Sequence, residues 1–422
     1  MKYPKVKLKD IAEIKGGKRL PKGETLVDYE TEHPYIRGQD IKGGIITFDE
    51  PKYISKEVYE KIKRYTVDKG DVCVTIVANI GDVGIVPPFL DGANLTENAV
   101  KLVDYKRSCN PFYLKYSLLT NEAKSTMVSF AAGAAQSKLG IYKLQEIEVP
   151  FPGVTIQNKI ASLLSAYDNL IENNNRRIKI LEEIAQTIYD EWFVKFRFPG
   201  HSKVKIVDSE LGKVPEGWEV RLLSDIVETQ YGYTETASGE EIGPKFVRGK
   251  DINKSSYIDW RSVPYCKIDN DEHPKYKLSK WDIVVIRMAD PGKVGIIEKD
   301  INAVFASYLV RLKETHNLLT TYYLFYSLLS DRYQSYISGA STGTTRKSAS
   351  AGVLTGIKIC IPPRRLLDMF EAQVEPLRNL LNNLVEKNSL LYSTRDILLP
   401  KFISGEIDVE DLDIDVGDID DR

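Results

Sequence analysis

Long apolar runs and paired cysteines are missing from this sequence. No stretch approaches the ~18 apolar residues of a membrane-spanning helix, and the start, MKYPKVKLKD, lacks the apolar core of a signal peptide. The cysteines stand singly, with no CxxC pair, which excludes a disulfide scaffold and a zinc ribbon. They are Cys73, Cys109, Cys266 and Cys360. We therefore expect a cytoplasmic protein with no membrane contact.

Catalytic motifs are missing as well. The sequence has no G-x-x-x-x-G-K-[ST] loop for nucleotide phosphates, no HExxH and no GxSxG elbow. The histidines are isolated from one another along the chain: His33, His201, His273 and His316. We expect no catalytic residue and no metal site in this chain.

One tetrapeptide does resemble a catalytic motif. Residues 110–113, NPFY, are close to the N/D-P-P-aromatic motif of amino methyltransferases, but the second proline is absent. The equivalent stretch at 320–323 has no such motif, and no glycine-rich S-adenosylmethionine loop precedes residue 110. A helix start, with Asn110 as cap and Pro111 as first helical residue, explains the string better. A stand-alone methyltransferase is the enzymatic alternative.

The composition is that of an ordinary folded protein, with 42% hydrophobic and 28% charged residues, and 422 residues allow two to four domains. The net charge of -2 hides an asymmetry. Residues 406–422 carry nine acids and one arginine, a net of -8, so the rest of the chain carries about +6. A mildly basic body permits a polyanionic partner without proving one.

Four segments recur in the same order at an offset of 210 or 211 residues. The pairs are YIRGQDI at 35–41 with FVRGKDI at 246–252, residues 65–86 with 276–297, FYLKYSLL at 112–119 with YYLFYSLL at 322–329, and IEVPFP at 147–152 with IKICIP at 357–362. Matches in register predict a duplicated domain rather than a solenoid unit. Each copy is mixed: VCVTIVA and IVVIRMA indicate buried strands, the glycines after them (Gly81 and Gly84, Gly292 and Gly295) predict tight turns, and FYLKYSLL and YYLFYSLL predict helices.

A heptad pattern follows each copy. In the first it runs through Ile160, Leu164, Tyr167, Ile171, Asn174, Ile178, Leu181, Ala185, Ile188 and Trp192, and in the second through Phe370, Val374, Leu377, Leu381, Leu384, Asn388 and Leu391. Alternating steps of four and three residues predict two long helices that pair as an antiparallel coiled coil. The alternative is two amphipathic helices that each pack on their own domain.

Each heptad seam contains one asparagine, Asn174 or Asn388, and a lone seam asparagine can specify register. The alternative is that it merely tolerates a wet position. A helix over residues 157–189 is about 50 Å long, which is about one and a half turns of DNA. If the two domains bind DNA, we expect them to read two separated half-sites.

Basic and polar loops at matching places are the candidate nucleic-acid contacts. In the first copy they supply Lys18, Arg19, Arg37, Gln39, Gln136, Ser137 and Lys138, and in the second Tyr233, Arg248, Lys250, Arg287, Thr344, Thr345, Arg346 and Lys347. Such side chains hold phosphates or pair with base edges. Arg37 and Arg248 occupy the same place, so a shared structural ion pair is the alternative for them. Different loops on one scaffold suit two different half-sites.

The arrangement resembles the specificity subunit of type I restriction-modification systems. The matching segments are residues 150–193, DEWFVKFRFPGH at 190–201, DSELGKVPEGWEV at 208–220 and TRDILLPKFISGEIDV at 394–409. The resemblance covers essentially the full chain. Two departures are the long acidic tail and the second helix entry, RRLLDMFEAQV, which lacks the Pro-x-x-x-x-Gln-x-x-Ile form of the first copy.

The resemblance implies an α/β (α+β) fold in which two target recognition domains are joined by two long helices as an antiparallel coiled coil with pseudo-twofold symmetry. The boundaries are 1–153 for the first domain, 154–198 for the first helix, 199–363 for the linker and second domain, 364–405 for the second helix, and 406–422 for a disordered acidic tail.

The resemblance further implies a non-catalytic subunit that recognises a bipartite, asymmetric target in double-stranded DNA. It would hold two methyltransferase subunits and, with motor-nuclease restriction subunits, direct cleavage. S-adenosylmethionine and ATP with magnesium would belong to those partners, and this chain would bind no cofactor. The aromatic stripe Tyr189, Trp192, Phe193 and Phe196 would be a docking surface, with core packing as its alternative. A stand-alone DNA-binding regulator with two reading heads is the competing function.

Overall fold

The computed structural model describes residues 2–132, 138–341 and 347–416. The chain divides into two compact units. The first unit consists of Met1–Ile171 and Leu390–Arg422, and the second of Glu172–Ser389. Each unit contains one copy of the sequence repeat together with parts of two long helices, which are the first long helix (Val154–Tyr189) and the second long helix (Arg364–Ser404).

A six-stranded sheet is the centre of the first unit. Its strand order is Glu13–Gly16, Ala99–Val103, Val72–Thr75, Val83–Ile85, Gly44–Ile46 and Ile41–Lys42. Two further strand pairs are Lys5–Lys7 with Glu148–Pro150 and Tyr35–Ile36 with Asn94–Leu95. The short helices are Leu8–Ile11, Lys56–Ile62, Pro111–Leu119, Asn121–Ala131 and Ile141–Leu144. The strand VCVT is buried at every residue, which is why it reads as a continuous apolar run.

The second unit repeats this plan with a four-stranded sheet. Its strand order is Val227–Tyr231, Leu309–Glu314, Ile283–Ile286 and Val294–Ile296. The strand pairs are Glu219–Leu222 with Lys358–Ile361, Lys245–Val247 with Ala303–Phe305, Met288–Ala289 with Lys347–Ser348, and Ile206–Ser209 with Gly212–Pro215. Its helices are His273–Tyr276, Thr321–Leu329, Asp331–Ala340 and Ala351–Thr355. The predicted duplication and mixed α/β content are confirmed.

Tight turns occur at Gly81 and Gly292, whereas Gly84 and Gly295, which the sequence also predicts to form turns, lie within strands. Gly81 has φ +82° and Gly292 has φ +94°, a left-handed conformation that favours glycine. Gly84 is required for a different reason, because a Cβ there would lie 2.6 Å from the carbonyl oxygen of Ile45 on the neighbouring strand. Gly81 and Gly292 therefore allow the turns, whereas Gly84 lets its strand approach the parallel strand Gly44–Ile46 closely.

Asn110 begins a helix, as its sequence context predicts. Its Oδ1 accepts hydrogen bonds from the backbone N–H groups of Phe112 (2.9 Å) and Tyr113 (3.1 Å), and its Nδ2 donates to Oδ1 of Asn158. The amide oxygen thus caps the helix, and the amide nitrogen joins this cap to the first long helix. The NPFY string is structural here.

The two long helices pack through apolar clusters within each unit. In the first unit, Leu164 shares a cluster with Leu399 and Phe402. In the second unit, Ile178 shares a cluster with Leu381. The heptad residues Leu164, Ile178 and Leu381 are therefore buried in these clusters, whereas Leu399 and Phe402 lie beyond the predicted heptad. A single π-helical turn, Asp190–Val194, ends the first long helix.

The acidic tail corrects an expectation. Residues 406–416 are ordered against the first unit, although the sequence predicts disorder from residue 406 onward. Val409 is fully buried, Lys2 forms an ion pair with Asp408, and Nζ of Lys159 donates hydrogen bonds to two backbone carbonyls of the tail. The reason is that acids alternate with apolar residues in EIDVEDLDID, so one side can be buried while the acids stay in water.

An ion pair buried in the second unit joins the second long helix to its domain. Arg378 is fully buried, its Nε lies 2.9 Å from Oε1 of Glu298, and its Nη1 donates to Oγ of Ser256. Burial alone would lower the pKa of Arg378, but the carboxylate of Glu298 outweighs burial and raises it. The guanidinium therefore stays charged inside the protein.

Replacing Arg378 by leucine should destabilise the second unit by about 3–5 kcal/mol, because Glu298 would be left buried without its cation. All four tryptophans lie in this unit, so their fluorescence during urea unfolding measures its stability. The matched control is Arg364→Leu, which removes an exposed pair with Asp368 and should cost less than about 1 kcal/mol. Equal losses in the two variants would contradict the assignment.

Candidate nucleic-acid interface

A cleft of about 420 Å³ in the first unit brings three predicted residues together. Arg19, Arg37 and Gln39 all line it, although 18 residues separate the first two along the chain. The remaining wall includes residues that the sequence analysis missed: Val77, Ala78, Asn79, Thr96, Glu97 and Asn98. Ala78 and its counterpart Ala289 both have positive φ, +64° and +71°, a signal that the structure alone supplies.

Arg37 is held by a carboxylate in the cleft wall. Its backbone N–H donates to Oδ2 of Asp40 (2.7 Å), and its Nη2 lies 2.6 Å from Oδ1 of the same residue. Arg248 makes the same contacts with Asp251, at 2.9 and 2.8 Å. The structural ion pair, left open as the alternative, is thus present in both copies. The arginines fix a turn that presents the exposed side chains Gln39 and Lys250.

Arg19 is presented differently. Its side chain is 80% exposed, and its Nε lies 2.7 Å from Oε1 of Glu97. Burial would raise the pKa of Glu97, but hydrogen bonds from Arg19, the Glu97 backbone and Thr96 lower it overall. Exposed pairs of this kind are weak in water, so Arg19 can exchange the carboxylate for a phosphate or a base. The neighbouring Lys18 is exposed and lies over the ring of Tyr65, 5.5 Å from its centroid.

The polar loop of each copy ends at a lysine that pairs with a strand end. Lys138, an exposed residue, pairs with Val77 of the cleft wall, while Gln136 and Ser137 lie outside the described residues. In the second copy, the exposed Lys347 pairs with Ala289. Thr344, Thr345 and Arg346 lie outside the described residues too. The described ends of both loops therefore meet the same strand end in each copy.

The second copy places aromatic rings beside its basic residues. The guanidinium of Arg287 lies over the ring of Tyr231, 4.9 Å from the centroid. The ring of Tyr233 lies 5.2 Å from that of Tyr276, and its backbone pairs with Ala306. Rings that orient a cation in this way leave its N–H donors available to a ligand.

The predicted docking stripe lies mostly inside the protein. Tyr189 and Phe193 are more than nine-tenths buried in the core of the second unit, and Trp192 and Phe196 are partly buried against the same core. The ring of Phe193 packs 4.9 Å from that of Phe370. Core packing, the alternative left open for this stripe, describes Tyr189 and Phe193 best, since neither offers a partner much surface.

The two seam asparagines meet within the second unit. Nδ2 of Asn174 donates to Oδ1 of Asn388 at 2.8 Å, and Nδ2 of Asn388 donates to Oδ1 of Asn175 at 2.8 Å. Asn388 is buried, and because a buried amide costs free energy unless it is paired, its two hydrogen bonds favour this alignment of the helices over a shifted one.

The described ranges contain neither a metal-binding cluster nor a membrane-spanning helix. Residues 2–132, 138–341 and 347–416 contain no group of three or more histidine, cysteine, aspartate or glutamate side chains that could hold a metal ion. Within the same ranges, no helix combines the length and the apolar character that crossing a membrane requires.

Replacing Arg37 by alanine should destabilise the first unit by about 1–3 kcal/mol, because the buried carboxylate of Asp40 loses its charged donor. Gln39→Ala, in the same turn but exposed, is the control and should leave stability unchanged. Hydrogen-exchange mass spectrometry of the strand Val72–Thr75 measures both effects. Equal protection in the two variants would show that Arg37 is not a structural residue.

Comparison with known proteins agrees with this geometry. The sequence matches the family described as type I restriction modification DNA specificity domain over residues 2–183 and 215–366, which include both copies of the repeat. The MjaIX specificity subunit of a type I restriction enzyme from Methanocaldococcus jannaschii is 27% identical over 427 residues, covering 96% of this chain and 94% of the relative. The MjaVIII specificity subunit of that organism is 27% identical over 405 residues, covering 93% and 90%.

A solved structure supports the fold. The type I restriction-modification S subunit from M. genitalium aligns with a TM-score of 0.56 at 16% identity, covering 96% of each chain. Because the family match spans most of the sequence and both copies of the repeat, the chain belongs to the type I restriction-modification DNA specificity family.

Proposed function

We propose that this chain is the non-catalytic specificity subunit of a type I restriction-modification system. It recognises a bipartite, asymmetric sequence in double-stranded DNA and directs methyltransferase and restriction subunits to it. The observation that carries this function is the family match over both copies of the repeat. The chain acts in the cytoplasm on chromosomal and incoming DNA.

Each domain reads one half of the target. The support is a common scaffold with different exposed side chains. The same arginine–aspartate pair fixes the turn in both copies, yet the next-but-one residue is Gln39 in one and Lys250 in the other. Glutamine pairs well with adenine, and lysine with guanine or phosphate. Two heads built in this way suit two unlike half-sites.

An antiparallel coiled coil of the two long helices sets the spacing of the half-sites. Its support lies in the order of the contacts: in the second unit, Asn174 bonds Asn388, and Tyr189 packs against Phe370. Residue numbers thus rise along one helix as they fall along the other. At 1.5 Å per residue, the 36 residues of the first long helix measure about 54 Å. The proposed domain limits are 1–153 and 199–363.

Two methyltransferase subunits bind a repeated outward face of the helices. On the first long helix, exposed residues spaced by three and four positions are Leu170, Asn173, Arg177, Ile180, Ile184 and Thr187. At an offset of 210, the second presents Leu380, Asn383, Lys387, Leu390, Thr394 and Ile397, all exposed. Steps of three and four place each set on one helix face.

The composition of this face indicates a partner. Its first four members match in type between the helices, although nothing in the described structure of the chain buries them. Ile180 is 54% exposed and Leu390 is 69% exposed, as large apolar residues at an interface would be in the free subunit. A face that occurs twice fits two copies of one partner. S-adenosylmethionine, and ATP with magnesium, belong to the partner subunits.

Co-expression with the methyltransferase encoded beside it should produce adenine methylation at a split sequence motif, which long-read sequencing maps directly. The methyltransferase alone is the control and should leave no motif. Purified chain without partners should neither methylate nor cut DNA. A chain that co-purifies with DNA but with no methyltransferase would instead favour a stand-alone regulator.

Replacing Leu390 by aspartate should reduce the number of bound methyltransferase subunits from two to one, and Ile180→Asp with Leu390→Asp should remove both. The reason is that each substitution buries a carboxylate in one copy of the interface without a partner. Native mass spectrometry counts the subunits. Lys179→Asp, an exposed neighbour outside the repeated face, is the control, and two bound subunits in the double variant would disprove the assignment.

A further inference from the structure

At three neighbouring positions, the second domain has a different type of amino acid from the first. Sheet register makes Gly16 and Tyr231 the first equivalent pair. Gly16 is opposite Val100, and Tyr231 is opposite Val310, which lies 210 residues after Val100. Ile76 directly follows the strand Val72–Thr75, and Arg287 directly follows Ile283–Ile286. Ile141 and Ala351 each begin the short helix after the polar loop.

In the first domain these positions form an apolar wall. Ile76 is 4% exposed and belongs to the main core cluster of that unit. Gly16 has no side chain, and a Cβ built there would lie 3.6 Å from Cδ1 of Ile141. The isoleucine therefore packs over the space that a larger residue at position 16 would need.

In the second domain the same positions form a polar platform. The small Ala351 leaves room for Tyr231, whose hydroxyl accepts a hydrogen bond from the Ala351 N–H at 3.1 Å. The guanidinium of Arg287 then lies over the tyrosine ring. Tyr231 remains 45% exposed, so a ligand can reach the pair from solvent. The three differences compensate one another sterically, which indicates one feature rather than three independent changes.

The guanidinium of Arg287 is positioned but not fully paired. Its backbone N–H donates to Tyr308 O, and its carbonyl accepts from Ala349 N, both at 2.9 Å. Its Nε is buried and has no hydrogen-bond partner among the residues that the structure describes. Arg248 in the same domain differs, since a carboxylate pairs with it on two sides. A buried donor left unpaired costs free energy, and no acceptor in the described structure offsets this cost for the Nε of Arg287.

We propose that Arg287 reads a guanine in the half-site of the second domain and that Tyr231 holds its guanidinium in the required plane. Bidentate pairing of arginine with the O6 and N7 of guanine is the commonest specific contact in the major groove. A phosphate contact fits less well. Phosphates occur identically in both half-sites, whereas this platform occurs in one domain only. The inference rests on the proposed function of the chain.

The test compares methylation maps of cells that express the methyltransferase with the wild-type chain, Arg287→Lys or Arg287→Met. Lysine keeps the charge and would preserve a phosphate contact, but it cannot replace the planar fork of arginine. We expect both variants to lose the preference for guanine at one position of one half-site, by roughly 10- to 100-fold. The other half-site should stay unchanged, which also shows that the variant chain folds and assembles.

Tyr231→Leu is the positioning variant, and it should weaken the same preference while keeping Arg287. Lys293→Ala, an exposed neighbour, is the control and should keep the full motif. An unchanged motif in Arg287→Met would overturn the inference. A loss of methylation that is uniform across sites, or one that Arg287→Lys rescues, would also overturn it. A wild-type motif with no G·C pair would do the same. If the wild-type chain gave no motif at all, the proposed function itself would fail.

Discussion

Each domain is fixed to a long helix by an ion pair with a buried member, Lys115 in the first unit and Arg378 in the second. In the first unit, Asp168 accepts a hydrogen bond from the hydroxyl of Tyr116 at 2.6 Å and lies 3.1 Å from Nζ of Lys115 and 2.7 Å from Nη1 of Arg395. Burial would raise the pKa of Asp168, but these partners lower it overall. Arg378 has the corresponding place in the second unit. Because an unpaired charge is unfavourable inside a protein, helix and domain are held in one register.

That rigidity allows exposed side chains on the domains to vary without loss of the fold. The carboxylates of Asp40 and Asp251 fix equivalent turns, so the exposed residue within each turn is free to differ. The same division holds at the strand ends, where a core isoleucine in one copy is replaced by Arg287 in the other. The scaffold is the same in the two copies because its buried groups constrain one another, whereas the exposed positions are free of those packing constraints.

The sequence predicts the duplicated scaffold well because strands, turn glycines and helix caps depend on neighbouring residues. It predicts less where distant segments meet. The cleft wall at Thr96 could not be inferred, since only the folded chain brings it to Arg19. The spacing of the aromatic stripe at Tyr189 fits a docking face and a buried core equally well. Only the exposure of these side chains in the folded chain decides between the two interpretations. The tail shows a third limit, because its net charge concealed an alternation of acids with apolar residues such as Val409.

The helix side chains in these two ion pairs, Asp168 and Arg378, carry opposite charges, and this affects which helix each domain can accept. Asp168 and Arg378 are 210 residues apart and hence equivalent, yet the helix supplies the acid in the first unit and the base in the second. If the first helix took the place of the second on its domain, Asp168 would face the buried Glu298. Two carboxylates there would repel each other unless one became protonated. The second helix on the first domain would likewise place Arg378 beside Lys115. The opposite charges of Asp168 and Arg378 at equivalent helix positions therefore disfavour an exchange of the two helices between the domains.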